Sequence, residues 1–171
     1  LYDLSSKIIF KKKIYNANPN NSTLKILANK NIVDEINKIN KKVSIFASCI
    51  NNGSHLLGLK KGLKKKQKLV GIFSTSKLAK SINSYSKYEY LNLVKKFNID
   101  KDFIEAKEKN ILKGVKLLLS EGLVSEPSSA AVVGSLDHSI FKKEKNICCI
   151  ISGTAHKDLK GLQDLFHYTD F

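Results

Sequence analysis

Three segments of the sequence combine small, hydroxyl-bearing or acidic residues with a neighbouring apolar run, and each could carry chemistry. In the first, Asn51, Asn52, Gly53 and Ser54 follow the apolar run 43–49. A loop of small residues between a buried strand and a helix can direct backbone N–H groups at a phosphate, because the helix dipole favours negative charge there. Asn-Gly turns also occur in many ordinary loops, so this segment alone is equally typical of a simple strand-to-helix connection.

The other two segments place polar residues at similar points. Glu126 and Pro127 precede a run of very small residues, and Pro suits the first turn of a helix that approaches a sheet or a ligand closely. Ser152 and Gly153 follow a further apolar run, and ligands of open α/β sheets bind at the carboxyl ends of strands. Each segment also has a purely structural interpretation, with Glu126 at a rim and Ser152 as a helix cap.

Short apolar strands alternating with helices would position these segments. Three apolar runs predict buried strands and a weaker run predicts a fourth: 43–49, 69–74, 147–151 and 8–10. Apolar spacing and helix-end signals predict helices over 26–39, 55–66 and 104–120, while 75–100 predicts one helix and a loop. For the helix over 104–120, Asp102 is the expected N-cap and Gly122 the expected stop. Strands this apolar are typical of a parallel sheet covered by helices on both faces.

Composition excludes several classes of protein. The 171 residues are 42% hydrophobic with mean hydropathy −0.20, which predicts one folded domain, and no apolar run is long enough to cross a membrane. The net charge of +15 comes from 30 basic residues that are all Lys. Proteins that read nucleic acids favour Arg, and the Lys runs lack interleaved aromatic residues, so we expect solvated lysines and no nucleic-acid partner.

The three cysteines, Cys49, Cys148 and Cys149, lie inside apolar runs, and adjacent cysteines in a strand point to opposite faces. Neither a disulfide framework nor a metal site fits this pattern, and we expect buried, reduced thiols in an intracellular protein. The chain contains no Met and begins at Leu1. We therefore expect it to be a processed chain or a piece of a longer one.

Taken together, the three segments resemble the C-terminal half of fold-type II pyridoxal-phosphate enzymes, and threonine synthase most of all. That family has a G-N-x-G-N loop, then E-G-[IL]-x-x-E-P-[AS]-S-A-A, then T-G-x-G-L-K-D after a strand. Here the second motif is nearly intact over 121–131, the third is recognisable over 152–158, and Asn18-Pro19 matches an upstream Asn-Pro element. The resemblance spans about residues 16–165.

The resemblance implies an α/β fold, a partial three-layer sandwich with a mostly parallel sheet like that of the tryptophan synthase β subunit, and an incomplete one. Residues 1–171 would be the C-terminal portion, mainly the large cofactor-binding domain. The N-terminal part with the Schiff-base lysine would be absent, because its S-F-K-D-R-like segment cannot occur in a chain without Arg. No residue of this chain is therefore assigned a catalytic role.

The implied cofactor is pyridoxal 5'-phosphate, and the implied cofactor-binding residues are Asn51, Asn52, Gly53, Ser54, Glu126, Ser152 and Gly153. The loop before the helix would hold the phosphate, although Asn51 and Ser54 stand where the family has glycines. Ser152, in place of the family Thr, would hydrogen-bond the pyridine nitrogen. Glu126 and Ser128 would line the pocket, and no metal site is implied.

The implied activity is conversion of O-phosphohomoserine to threonine by γ-elimination of phosphate and addition of water at Cβ. Alternatives are a serine/threonine dehydratase or a cysteine synthase-like lyase of the same fold, or a catalytically inactive relative acting as a binding subunit. The implied partners are an amino-acid substrate and the missing N-terminal half or a second copy in a homodimer. The expected location is the cytoplasm or a plastid-like organelle.

Overall fold

The computed structural model describes residues 23–51, 53–83 and 102–167. The predicted strand over 8–10, the tyrosine-rich part of 75–100 and Asn18-Pro19 lie outside the described residues. The helices and strands, in chain order, are α1 (Thr23–Ile39), β1 (Ile45–Cys49), α2 (Ser54–Gly62), β2 (Lys68–Phe73), β3 (Phe103–Glu105), α3 (Glu108–Ser120), α4 (Pro127–Gly134), β4 (Ile147–Ile150) and α5 (Leu159–His167).

The four strands form one parallel sheet in the order β3-β2-β1-β4. Strand β1 is central and all five of its residues are buried, which explains its continuous apolar sequence. Ala47 pairs with Val70 of β2 on one side and with Cys149 of β4 on the other. The predicted parallel sheet is confirmed, and it brings the carboxyl ends of β1 and β4 side by side.

Two apolar cores, one on each face of the sheet, confirm the three-layer arrangement. On one face, Phe46 of β1 packs with Val33 of α1 and Leu59 of α2. On the other face, Ala47 packs with residues of α3 and α4, among them Ile111. Successive residues of β1 alternate between the two cores because side chains of a strand point to opposite faces. Helices α1 and α2 therefore cover one face, and α3 and α4 cover the other.

The structure corrects the start of the helix predicted over 104–120. The helix begins at Glu108, and Phe103–Glu105 form β3 at the edge of the sheet. The backbone N–H of Gly71 donates to the carbonyl of Asp102 at 2.9 Å, so Asp102 joins the sheet instead of capping a helix. The apolar residues 103 and 104 fit either element. Pairing with the open side of β2 decides in favour of the strand.

The cysteine prediction is confirmed in part. All three cysteines are free, and Cys148 and Cys149 pack into the cores on opposite faces of the sheet. Only Cys49 is buried, however, whereas Cys148 and Cys149 are half-buried because β4 pairs on one side only among the described strands. In the described ranges, none of the helices is long and apolar enough to traverse a bilayer.

Candidate functional site

A cavity of about 290 Å³ opens where β1 and β4 end, at the carboxyl edge of the sheet. Nine residues line it: Cys49, Asn51, Ser54, His55, Ser81, Ile82, Glu126, Ser152 and Lys157. Four of the residues predicted from the sequence, Asn51, Ser54, Glu126 and Ser152, are thus brought together. Asn52 lies outside the described residues, and Gly53 and Gly153 adjoin lining residues without lining the cavity themselves.

One wall of the cavity is the start of helix α2. Gly53 occupies the N-cap position with φ 84°, a left-handed conformation that L-residues with a side chain adopt only under strain. Because this residue is glycine, the N-cap position itself supplies no side chain to cap the helix. An α-helix begins with N–H groups that have no intrahelical acceptor, and its N-terminus carries partial positive charge. This wall is therefore suited to an anion.

A second wall of the cavity is formed where the chain leaves β4. Ser125 and Thr154 form an isolated antiparallel β-bridge. In this bridge the Ala155 N–H donates to the Val124 carbonyl at 3.3 Å. Ser152 is exposed to the cavity, and its Oγ lies 3.9 Å from the Cys49 Sγ. Ser152 does not cap any described helix, and its hydroxyl group lines the cavity.

Glu126 brings a buried carboxylate to the cavity. Glu126 is only 4% exposed, so the interpretation that it lies at the rim is corrected. The Ser81 hydroxyl lies 3.2 Å from Oε2, Ser129 Oγ donates to Oε1 at 3.4 Å, and Lys157 Nζ is 3.9 Å from Oε1. A buried carboxylate requires such partners because burial of an unpaired charge is unfavourable.

Gly153 makes room for this carboxylate. A Cβ atom built at Gly153 would meet three atoms of the Glu126 side chain. The Gly153 N–H donates to Ser129 Oγ at 3.0 Å, and its carbonyl accepts from the Glu126 N–H at 3.1 Å. A residue with a side chain at position 153 would displace the carboxylate from its partners. The small residue after β4 therefore has a packing role beside the cavity.

His55, in the first turn of α2, connects the cavity wall to β1 and α1. Asn29 Nδ2 donates to the Lys25 carbonyl at 2.8 Å, so Asn29 Oδ1 is the atom that accepts from His55 Nδ1 at 2.8 Å. His55 Nε2 lies 3.0 Å from the hydroxyl of the fully buried Ser48. Burial lowers the pKa of His55 from its usual 6.5 and so favours the neutral imidazole, whose Nε2 accepts from that hydroxyl.

The protein should therefore lose stability on acidification through His55. Above about pH 6.5 both states carry a neutral imidazole; below it the unfolded chain binds a proton that the folded protein resists. Each unit of lowered pKa corresponds to about 1.4 kcal/mol of free energy of unfolding, lost as pH falls.

Urea denaturation at pH 7.5 and 5.5 measures this loss of stability. Between these two pH values we expect His55→Gln to lose less free energy of unfolding than the unsubstituted protein, and the exposed His156→Gln to lose as much. An equal loss in all three proteins would contradict the assignment to His55.

The sequence did not single out Cys49, His55, Ser81 or Lys157 as site residues. Cys49 and His55 flank the predicted loop closely, so the loop itself was a usable signal. Ser81 arrives from the segment after β2, where no motif marks it. Burial raises the pKa of the Cys49 thiol, and the Glu126 carboxylate adds to the rise, so this thiol is a poor nucleophile.

Comparison with known proteins gives one family. Residues 3–153 match the family model described as pyridoxal-phosphate dependent enzyme. No curated protein sequence matches the chain significantly.

Solved structures share the fold. A cysteine synthase from Entamoeba histolytica (TM-score 0.72), threonine deaminase isoform 2 from Solanum lycopersicum (0.75) and a serine racemase from Dictyostelium discoideum (0.73) are each 17% identical to the chain. The matches cover 99%, 95% and 90% of this chain, respectively. They cover 55%, 53% and 57% of those proteins, so the chain spans about half the length of the structures it matches.

Proposed function

The chain belongs to the pyridoxal-phosphate dependent enzyme family and has the fold of its fold-type II members, and from this premise we propose that its cavity holds pyridoxal phosphate. The observation that carries the proposal is that the start of α2 and the end of β4 line the same cavity. Neighbouring parallel strands β1 and β4 bring the start of α2 and the Ser152 hydroxyl to one cavity. In the proposed arrangement the first wall would bind the phosphate, and the Ser152 hydroxyl would hydrogen-bond the ring nitrogen.

The donor chemistry of the described residues fits this group. The α2 N-terminus offers N–H donors beside the left-handed Gly53, and no side chain occupies the cap position. A cavity of about 290 Å³ is close to the lower end of the roughly 300–1,000 Å³ usual for small-molecule sites. Pyridoxal phosphate supplies an electron sink for bond cleavage at amino-acid carbons. Because Ser152 is not an acid, it need not keep the ring nitrogen protonated.

The remaining lining residues would orient the substrate and hold charge. Glu126 is fixed by Ser81 and Ser129, so its carboxylate is pre-oriented at the cavity. Lys157 reaches the same carboxylate from the exposed side, with a side chain 64% exposed. An exposed ammonium group at the mouth would attract an anionic substrate group, such as a carboxylate or a phosphate.

For the complete enzyme we propose a threonine synthase-like reaction on O-phosphohomoserine. The support is the near-intact motif over 121–131 and the Gly-x-x-x-Lys-Asp sequence over 153–158, whose Lys157 is among the residues that line the cavity. A dehydratase or cysteine synthase-like reaction is an equally good candidate on the fold, because the similar structures include a threonine deaminase and a cysteine synthase.

Assays of the full-length enzyme separate these reactions. Phosphate release from O-phosphohomoserine together with threonine formation is the expected result. Formation of 2-oxobutyrate from threonine would instead identify a dehydratase, and formation of cysteine from O-acetylserine and sulfide would identify a cysteine synthase. Failure of all three reactions in a protein that binds the cofactor would overturn the enzymatic proposal and favour a binding subunit.

Cofactor binding by residues 1–171 tests the site itself. Ser152→Ala should weaken pyridoxal phosphate binding about 3- to 10-fold, because one hydrogen bond contributes roughly 0.5–1.5 kcal/mol. Ser152→Thr retains a hydroxyl group and should restore most of the affinity. Cofactor fluorescence gives the dissociation constants, with the exposed Ser139→Ala as the matched control. An unchanged affinity in Ser152→Ala would remove Ser152 from the proposed site.

A further inference from the structure

A second cavity, of about 410 Å³, lies at the opposite end of the sheet, where β1 and β2 begin. Five lysines line it: Lys41, Lys42, Lys64, Lys65 and Lys66. They come from two loops, one between α1 and β1 and the other between α2 and β2. None of the described residues lining this cavity is acidic. The sequence predicts solvated lysines in these runs, and the structure adds that they converge.

A polar pair fixes the two lysine loops against each other. Gln67 Nε2 donates to Asn37 Oδ1 at 2.7 Å and to the Val43 carbonyl at 2.9 Å, while Gln67 Oε1 accepts from the Lys64 N–H at 3.0 Å. Asn37 is 4% exposed and lies on α1. The loops are therefore held by a partly buried amide network, which reduces the entropy lost when a ligand gathers the lysines.

The five lysines of this cavity have no carboxylate partner within 4 Å among the described residues, and the Glu144 carboxylate bonds to the lining residue Ser44. None of the described ion pairs involves these five lysines, whereas the nearby Lys68 pairs with Glu144 at 3.4 Å. Like charges gathered around one cavity repel each other, and a bound multivalent anion would relieve that repulsion. Because ammonium groups act as point charges, they suit an anion whose charges are spread along a chain.

We propose that this cavity binds a linear oligophosphate, independently of the cofactor site at the other end of the sheet. The described lining residues include no aromatic side chain, so a nucleobase would find nothing on which to stack. The binding group is therefore the phosphate chain itself, either as an inorganic ion or as part of a nucleoside triphosphate. Adenosine triphosphate should bind no more tightly than inorganic tripolyphosphate, since the base adds no contact.

Calorimetric titration of the full chain with sodium tripolyphosphate at low ionic strength tests the proposal. We expect one saturable site, weakened steeply by added salt. The triple variant K64Q/K65Q/K66Q should lose at least about tenfold in affinity, since it removes three of the five cationic contacts. The matched control K77Q/K109Q/K160Q changes exposed lysines that do not line the cavity. Both triples lower the net charge from +15 by 3 to +12, so they differ only in position.

Three outcomes would overturn the proposal. Equal weakening by both triples would show a diffuse charge effect instead of a site. Tighter binding of single-stranded oligonucleotide than of tripolyphosphate would indicate a nucleic-acid surface. Loss of tripolyphosphate binding in Gly53→Ala would place the anion in the cofactor cavity. Conversely, retained tripolyphosphate binding alongside failed cofactor binding would disprove only the proposed function, so the two proposals fail separately.

Discussion

Replacing Gly114 with Ala should destabilise the protein by at least about 2 kcal/mol, although alanine is the better helix former by about 1 kcal/mol. Helices α3 and α4 cross in backbone contact at Gly114 and Gly134. A Cβ atom at position 114 would collide with the Ala130 carbonyl and lie 2.9 Å from the Gly134 backbone nitrogen. Backbone atoms cannot rotate away as a side chain can, so the helices must separate.

Thermal and urea denaturation measure this effect. A loss of 2 kcal/mol corresponds to a fall of roughly 4–8 °C in Tm for a domain of this size. Lys109→Ala, at an exposed position of the same helix, is the control and should change stability by less than about 0.5 kcal/mol. A stabilised Gly114→Ala protein would mean that helix propensity prevails and that the two helices do not approach this closely.

The second large effect is expected at Gly53. With a side chain at φ 84°, the residue is strained by roughly 1–2 kcal/mol, and the loop can relax to negative φ. Relaxation would turn the first N–H groups of α2 away from the cavity. Pyridoxal phosphate would then have to restore the original loop, so we expect Gly53→Ala to bind it about tenfold more weakly. Cofactor fluorescence measures the change.

Gly122→Ala is the matched control for this substitution. Gly122 has φ 73°, so alanine is similarly strained there, and a Cβ atom would have no neighbour within 4 Å. Both variants should therefore lose similar stability, but only Gly53→Ala should lose cofactor affinity. If the two variants bind pyridoxal phosphate equally well, the N-terminus of α2 is not the phosphate site.

The sequence predicts elements best where burial is continuous. The strands β1, β2 and β4 lie in apolar runs, and the parallel sheet follows from the helices between them. The short strand β3 was missed because Phe103 and Ile104 suit a helix as well, and only the open side of β2 decides between them. Likewise, no local signal marks Gly114, because its role depends on a helix that lies elsewhere in the chain.

Some residues of the candidate site could likewise be predicted from the sequence, and others could not. The sequence places Asn51 and Ser152 at neighbouring strand ends, and the structure brings both to one cavity. Their binding roles stay predictions. Ser81 reaches the cavity through tertiary packing, which spacing along the chain does not encode. The burial of Glu126 depends on pairing of its segment with residues 153–155, and this pairing was likewise not readable from the motif.

Helix α2 begins beside one cavity and ends next to the loop that lines the other. Its nine residues form a rod about 14 Å long, and the rod lies against α1 so closely that a Cβ atom at Gly58 or Gly62 would collide with α1. We therefore expect the helix to keep its position when an oligophosphate gathers the lysines of 64–66. The two cavities would then fill without changing each other's affinity, which corresponds to a coupling free energy of zero.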